Sequence, residues 1–175
     1  YFGTQSGKLY TVQDNNLILV TDLGAGRKRF TPSEPAWPEP FIQNIQEPVP
    51  GQLWLATGDG MLICIKKNGK TYDKPMFYKF AISAGIPISN ICYDSSGQCL
   101  FSVDNVGIFR TDIKQLYREK NVALYSPLSR SIIKLIQPVP LPGSIQENGF
   151  FLFFYVPGGQ VGIITMGKGL SRHIY

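Results

Sequence analysis

Two segments of the sequence repeat one another at a spacing of 46 residues. The first, GQLWLATGDGMLICI, begins at Gly51, and the second, GQCLFSVDNVGIFRT, begins at Gly97. The apolar residues Leu55 and Phe101 keep this spacing, as the two glycines do. A repeat of roughly 40 to 50 residues, built from short alternating strands, is typical of one β-propeller blade. The spacing therefore predicts an architecture and leaves the function open, because propellers serve many unrelated functions.

The same pattern extends in both directions along the chain. Upstream, FGTQSGKLYTV begins at Phe2 and aligns Gly7 with Gly60. Downstream, FYVPGGQVGIIT begins at Phe154 and aligns Gly159 with Gly60. The related segments FIQNI, PISNI and SIIKL each precede one of the last three copies. The chain is therefore predicted to contain about four related units.

Each complete unit is predicted to contain four antiparallel strands. In the clearest unit these are Ile88–Tyr93, Gln98–Val103, 107–111 and a more polar strand at 122–126; in the preceding unit the last strand is 75–81. Alternating apolar residues and many β-branched or aromatic residues favour strands over helices. We predict an all-β chain, a β-propeller segment of about four blades within a larger propeller. The alternative is a propeller closed by four blades, in which the terminal unit lends a strand to the first. The units span approximately 1–30, 41–82, 87–126 and 131–175, with a proline-rich loop between blades at 31–40.

Three local features refine this prediction. The pairs Asn15-Asn16 and Asn68-Gly69 are suited to two-residue hairpin loops, which need positive φ. Residues 113–119 form the one helix-like stretch. The turn that ends at Gly97 fits a type I turn followed by a glycine bulge, which would pair Cys92 with Leu100.

The cysteine pattern predicts buried free thiols. Cys64, Cys92 and Cys99 all lie in predicted strands. The proposed turn puts Cys92 and Cys99 out of alignment for a disulfide bond. An odd number of cysteines without metal-ligand spacing also argues against a disulfide framework and a zinc site.

Few residues of this chain are suited to catalysis. The one histidine, His173, is two residues from the last position, and the twelve carboxylates form no close pair on one strand face. The glycine-rich segments lack the lysine and the strand-to-helix context of a phosphate loop. We therefore expect no catalytic residues, no metal and no cofactor. The basic residues behind the net charge of +5 are scattered, which does not predict nucleic-acid binding. The sequence contains no run of 18 apolar residues, so no membrane span is predicted.

Binding is the more plausible activity for such a chain. The loops between the second and third strands of each blade share one end of a propeller with the loops between blades. At that end the candidate residues for a partner or ligand are Trp37, Asp59, Asp104, Asn105 and Arg130, with Gln5, Ser6, Glu39 and Ser83 in similar positions. Trp37 lies in TPSEPAWPEP, where the prolines prevent regular structure. It either caps a blade interface or contacts a partner, whereas Trp54 is predicted to pack in the core. The alternative for each candidate is a turn residue without a ligand.

The segment GQLWLATGDGM, followed by apolar residues and NGK, resembles the repeat of two-component-regulator propellers. That repeat carries a glycine, an aliphatic–tryptophan pair, a small residue with threonine, and a glycine after a polar loop. YFGTQSGKLYTV is similar to quinoprotein-type repeats, including those of outer-membrane assembly propellers. These resemblances imply a sensor in signal transduction, located in the periplasm, or a protein-binding scaffold.

The first hypothesis is a non-catalytic propeller module that binds a protein partner, the remaining blades, or a small-molecule or glycan ligand. One alternative is a propeller-scaffold enzyme, such as a glycan lyase or hydrolase, with its catalytic residues outside this chain. Another is the scaffold propeller of a eukaryotic coat, pore or trafficking complex.

Overall fold

The computed structural model describes residues 1–25, 40–80, 83, 85–94, 96–118, 137–139, 150–156, 160–166 and 170–174. Within these ranges the chain forms fifteen β-strands and one short helix. The strands make four antiparallel sheets that follow one another along the sequence. The prediction of an all-β chain is therefore confirmed. None of the helical structure in these ranges is long and apolar enough to span a membrane.

The first two sheets come from the N-terminal half. The first sheet contains β1 (Phe2–Gly3), β2 (Lys8–Gln13) and β3 (Asn16–Asp22). The second sheet contains β4 (Ile42–Val49), β5 (Gln52–Thr57), β6 (Met61–Asn68), β7 (Thr71–Tyr72) and β8 (Met76–Lys79). Strands β7 and β8 both pair with β6, at different positions along its edge.

The third sheet contains β9 (Ile88–Tyr93), β10 (Gln98–Val103), β11 (Gly107–Asp112) and β12 (Gln137–Pro138). The fourth contains β13 (Phe150–Val156), β14 (Gln160–Met166) and β15 (Leu170–Ile174). Gln137 pairs with Arg110, which makes β12 the outer strand of the third sheet. The strand predicted at 122–126 lies outside the described residues.

The strand pairing follows the sequence repeat. Leu55 pairs with Ile63 in the second sheet, and 46 residues later Phe101 pairs with Phe109. The aligned positions in the other two sheets also pair: Phe2 with Tyr10, and Phe154 with Gly162. Since a slip of one residue would move every side chain to the other face, this shared register is a strict test of the alignment.

Consecutive sheets pack face to face. On β5, the side chains of Leu53 and Leu55 pack toward the first sheet, where they join Leu9 in one buried cluster. The alternate residues Trp54 and Ala56 pack toward the third sheet. The second sheet therefore has two apolar faces, as a sheet between two others requires.

The cluster between the second and third sheets contains the largest aromatic residues. Trp54 is fully buried, as predicted, and stacks on Tyr78 with ring centroids 5.5 Å apart. Phe80 stacks on Phe101 of the third sheet at 5.2 Å. Helix α1 (Ile113–Arg118) adds Ile113 and Leu116 to this cluster. The Asp112 carboxylate caps the helix by accepting a hydrogen bond from the Lys114 backbone N–H at 2.7 Å.

The fourth sheet packs through the opposite face from that expected from the repeat. Val161 and Ile163 join a buried cluster with residues of the third sheet, whereas their aligned positions in the second sheet, Leu62 and Cys64, face the following sheet. Gly162 lies between them on β14 and belongs to the other face. Glycine has no side chain with which to fill an interface, which favours the face that carries valine and isoleucine.

Both predicted two-residue hairpin loops are shifted by one residue. The first loop is Asp14-Asn15, with φ of 49° and 61°, so that Gln13 pairs with Asn16. Positive φ at both central residues is the pattern of a type I′ turn, and aspartate and asparagine tolerate it well.

The second loop is Gly69-Lys70, because Asn68 pairs with Thr71. Only Gly69 has positive φ, at 62°, which is the pattern of a type II′ turn. Asn68 therefore stays in the strand, and the glycine takes the first position of the loop.

The predicted glycine bulge is confirmed. Gly97 has a φ of 85°, its N–H donates to the Asp94 carbonyl at 3.1 Å, and Cys92 pairs with Leu100. All three cysteines are buried and free, also as predicted.

Candidate functional site

The sheets have two distinct ends. The loop between β5 and β6 and the one between β10 and β11 lie at the first, which we call the loop end. The hairpin at Gly69-Lys70 and the turn at Gly97 lie at the other, the turn end, because the strands between them are antiparallel. The connection from the second sheet to the third also reaches the loop end, where the Ser83 hydroxyl donates to the Gly60 carbonyl at 2.7 Å. The two kinds of loop therefore meet at one end, as the repeat predicts.

The loops of the second and third sheets have a common backbone framework. The Gly58 N–H donates to the Phe41 carbonyl at 2.9 Å, and 46 residues later the Asp104 N–H donates to the Pro87 carbonyl at 3.0 Å. Within the loops, the Gly60 N–H and the Val106 N–H each donate to a carbonyl three residues earlier at 3.1 Å. The first two bonds tie each loop to the start of the first strand of its own sheet, and the other two close the turn within the loop.

A threonine closes the same loop in the first two sheets. The Met61 N–H donates to the Thr57 hydroxyl at 3.1 Å, and the hydroxyl oxygen also lies 3.1 Å from the Met61 carbonyl oxygen. In the first sheet the Lys8 N–H donates to the hydroxyl of the equivalent Thr4 at 2.9 Å, and that hydroxyl donates to the Lys8 carbonyl at 3.2 Å. These contacts between the threonine hydroxyl and the backbone set the width of each loop.

Close packing under the loop requires glycine at one position. Gly60 has a φ of 83°, and a Cβ atom there would lie 1.7 Å from the Ser83 carbonyl oxygen. The equivalent Gly7 has a φ of 78°, and its Cβ would lie 2.8 Å from Pro40. Both glycines let the connection to the next sheet cross the loop at van der Waals distance.

Asp59 was expected at an exposed tip, but its side chain is buried. Its carboxylate accepts a hydrogen bond from the Thr57 hydroxyl at 2.5 Å, and the residue has no exposed surface. Ser6, the equivalent residue in the first sheet, lies 3.1 Å from the Thr4 hydroxyl but is exposed. The structure therefore gives the Asp59 carboxylate a structural role in shaping the loop.

The loop of the third sheet does present polar side chains. Asn105 is exposed and has a φ of 57°, and Asp104 is partly exposed. Val106, next along the loop, is 46% exposed. In the first sheet, Gln5 lies in the loop equivalent to that of Asp104 and is exposed. Ser83, in the connection between the second and third sheets, is buried. The predicted residues Trp37, Glu39 and Arg130 lie outside the described residues.

A line of carboxamides on the first strands of two sheets was not predicted from the sequence. The Asn44 side-chain N–H donates to the Asn90 side-chain oxygen at 3.2 Å, across the gap between β4 and β9. The Gln46 side-chain N–H donates to the Asn44 oxygen at 3.3 Å. A signal was present, since asparagine is the fourth letter of both FIQNI and PISNI, and Lys134 takes that place in SIIKL.

The buried thiols are poorly suited to nucleophilic chemistry. Burial raises the pKa of Cys64 and that of Cys99 from 9.0 to about 12, and it raises the pKa of Cys92 as well. Thiols with such pKa values stay protonated at neutral pH, and the thiolate is the reactive form. Across the described ranges, no three histidine, cysteine, aspartate or glutamate residues cluster in a way that could hold a metal ion.

The chain matches no protein-family model, no curated protein and no solved structure.

Proposed function

We propose that the chain forms consecutive blades of a β-propeller and that this propeller is a non-catalytic interaction module, which binds a protein partner at its loop end. Two features support the propeller. The strand pairing keeps the offset of the sequence repeat, and consecutive sheets stack face to face through shared apolar clusters. The polar contact between Asn44 and Asn90 joins the first strands of neighbouring sheets, which are the strands nearest the axis in a propeller.

One observation carries the proposed binding role: the framework of the loops is constant while their side chains differ. The backbone bond of Gly58 recurs at Asp104, although the loops read Gly-Asp-Gly in one sheet and Asp-Asn-Val in the other. Recognition sites commonly consist of variable loop residues on a rigid scaffold. A fixed framework also lowers the entropy lost on binding, because the loop is ordered beforehand.

Among the described residues, Asn105, Asp104 and Val106 are the candidates for contact with the partner. They combine an exposed carboxamide, a carboxylate and an exposed apolar side chain on a single loop. Such a mixture suits a protein surface, where a polar rim surrounds apolar contacts. By sequence, Trp37 and Arg130 extend this site, since aromatic residues and arginine are enriched in protein interfaces.

Site-specific photo-crosslinking tests this function with a matched control. Asn105 and Asn15 are both exposed asparagines with positive φ, 57° and 61°, but they lie at opposite ends of the sheets. A photo-reactive amino acid at each position places the same strain on the backbone. We expect partner adducts, identified by mass spectrometry, from position 105 and not from position 15. Equal adduct yields at both positions, or none at either, would contradict the proposal.

A further inference from the structure

One face of the first sheet is apolar, and none of the described segments of the chain covers it. Its side chains come from Phe2, Tyr10, Val12, Leu17 and Leu19, which we call the first-sheet face. Phe2 pairs with Tyr10, Tyr10 with Leu19, and Val12 with Leu17, so these five side chains share one side of the sheet. Phe2, Val12, Leu17 and Leu19 are 50–61% exposed. A contiguous exposed apolar patch of this kind marks an interaction surface.

The positions of this face are buried in the second and third sheets. Phe2 corresponds to Leu55 and Val12 to Ile65, and both residues of the second sheet are fully buried against the first sheet. In the third sheet the corresponding Phe101 is fully buried and stacks on Phe80 of the second sheet. Each of these sheets thus uses the same face to pack on the sheet before it.

We propose that the first-sheet face is an interface that packs against one further unit of this repeat within the same polypeptide. The proposal rests on the propeller part of the proposed function and names the surface that would continue the stack. The expected occupant is an antiparallel sheet with an apolar face, like the one that Trp54, Leu62 and Cys64 form toward the third sheet.

The charges around the first-sheet face agree with an apolar occupant. Lys8 pairs with Asp22 at one margin of the sheet, so the nearest charges on these strands are of opposite sign and adjacent. No charged residue stands among the five side chains of the face itself. An apolar sheet can therefore cover this surface without burying an unpaired charge.

Thiol labelling tests the proposal in the polypeptide as its gene encodes it and in the 175-residue chain. Because the three native thiols are buried, an introduced cysteine is the fast-reacting group. The test variant is Val12→Cys, with Leu17→Cys as a second reporter. The control is Val49→Cys, since Val49 also lies in a strand and is 48% exposed, close to the 53% of Val12.

We expect position 12 to react at least about 100-fold more slowly in the encoded polypeptide than in the 175-residue chain, because labelling would require local opening of a packed interface. Position 49 should react at similar rates in both. Equal rates at position 12 would overturn the proposal. The proposal would also be overturned if position 12 of the 175-residue chain reacted more slowly as the concentration of that chain rose. A second copy of the chain would then be the occupant of the face. If the partner-binding proposal is wrong, photo-crosslinking at position 105 will yield no specific partner adducts. The labelling rates at position 12 will be unchanged.

Discussion

The Asn44 side chain donates a hydrogen bond to the Asn90 side chain at 3.2 Å, and the two residues occupy the same position of successive repeats, 46 residues apart. Each residue lies on the first strand of its sheet. Asparagine at the same position of two successive repeats thus produces a hydrogen bond between neighbouring sheets. A polar contact of this kind favours one alignment of two neighbouring sheets, because apolar packing alone is not directional.

A double-mutant cycle measures this bond. We expect Asn44→Ala and Asn90→Ala each to lower the free energy of unfolding by about 1 kcal/mol. The double variant should lose less than the sum, with a coupling of about 0.5–1 kcal/mol in urea denaturation. Asn44→Ala combined with Asn68→Ala is the control, since Asn68 lies about 20 Å away along the sheet. Additive losses in the Asn44 and Asn90 cycle would show that the bond contributes nothing.

Two glycine substitutions separate backbone strain from crowding at the loop end. Gly60 and Gly69 both have positive φ, but a Cβ at Gly60 would lie 1.7 Å from a backbone oxygen, whereas nothing lies within 4 Å of a Cβ at Gly69. We expect Gly69→Ala to cost about 1 kcal/mol and Gly60→Ala more than about 3 kcal/mol. Chemical denaturation of the two variants provides the comparison. Similar losses would mean that the Ser83 connection moves away from the loop at little cost.

The buried thiols predict a loss of stability at alkaline pH. In the folded state Cys99 keeps its proton to about pH 12, whereas in the unfolded chain it titrates near 9.0. Unfolding then releases a proton between these values, so the free energy of unfolding falls as pH rises from 9 toward 12. Each thiol contributes a slope of up to about 1.4 kcal/mol per pH unit.

Urea unfolding of the wild type and Cys99→Ala between pH 7.5 and 10.5 tests this prediction. Above pH 9 we expect the free energy of unfolding to fall less steeply with pH in the variant than in the wild type, whatever the variant's stability at neutral pH. The same smaller slope is expected for Cys64→Ala, because burial raises the pKa of that thiol to about 12 as well. Parallel pH profiles of the variants and the wild type would argue against protonated thiols in the folded state.

Equivalent positions of the first and second sheets should differ in their effect on stability. Val12 is 53% exposed, whereas the aligned Ile65 is fully buried. In the 175-residue chain we expect Ile65→Ala to cost about 2–5 kcal/mol and Val12→Ala no more than about 0.5 kcal/mol. Thermal and urea unfolding of the two variants provide the measurement. A cost at Val12 as large as that at Ile65 would mean that the first-sheet face is already covered in this chain.

Much of the local structure could be predicted from the sequence. Strand β9 and strand β10 have their predicted bounds, and Gly97 forms the predicted bulge. The first hairpin loop was predicted one residue too late and the second one residue too early, because Asn15 can stand at either central position of a turn and sequence alone does not choose between them. The partner-binding roles of Asn105, Asp104, Trp37 and Arg130 stay predictions.

The prediction was least successful where side chains from distant segments meet. The buried position of Asp59 depends on its bond to Thr57 and on the packing of Phe41 and Ser83 around the loop. The contact between Asn44 and Asn90 requires two strands from different sheets to come together. Neither result follows from the residue types at those positions, since aspartate in a turn is more often exposed.

The sequence by itself determined the bounds of strands β9 and β10, their pairing through the bulge at Gly97 and the repeat that relates Leu55 to Phe101. These depend on alternation with a period of two and on glycine at positive φ, which are properties of neighbouring residues. Only the tertiary structure decided which face of each sheet is covered: the fourth sheet packs through Val161 and Ile163, and the first leaves Val12 exposed. Both faces of a β-sheet can be apolar, so burial is settled by the sheet that packs beside it.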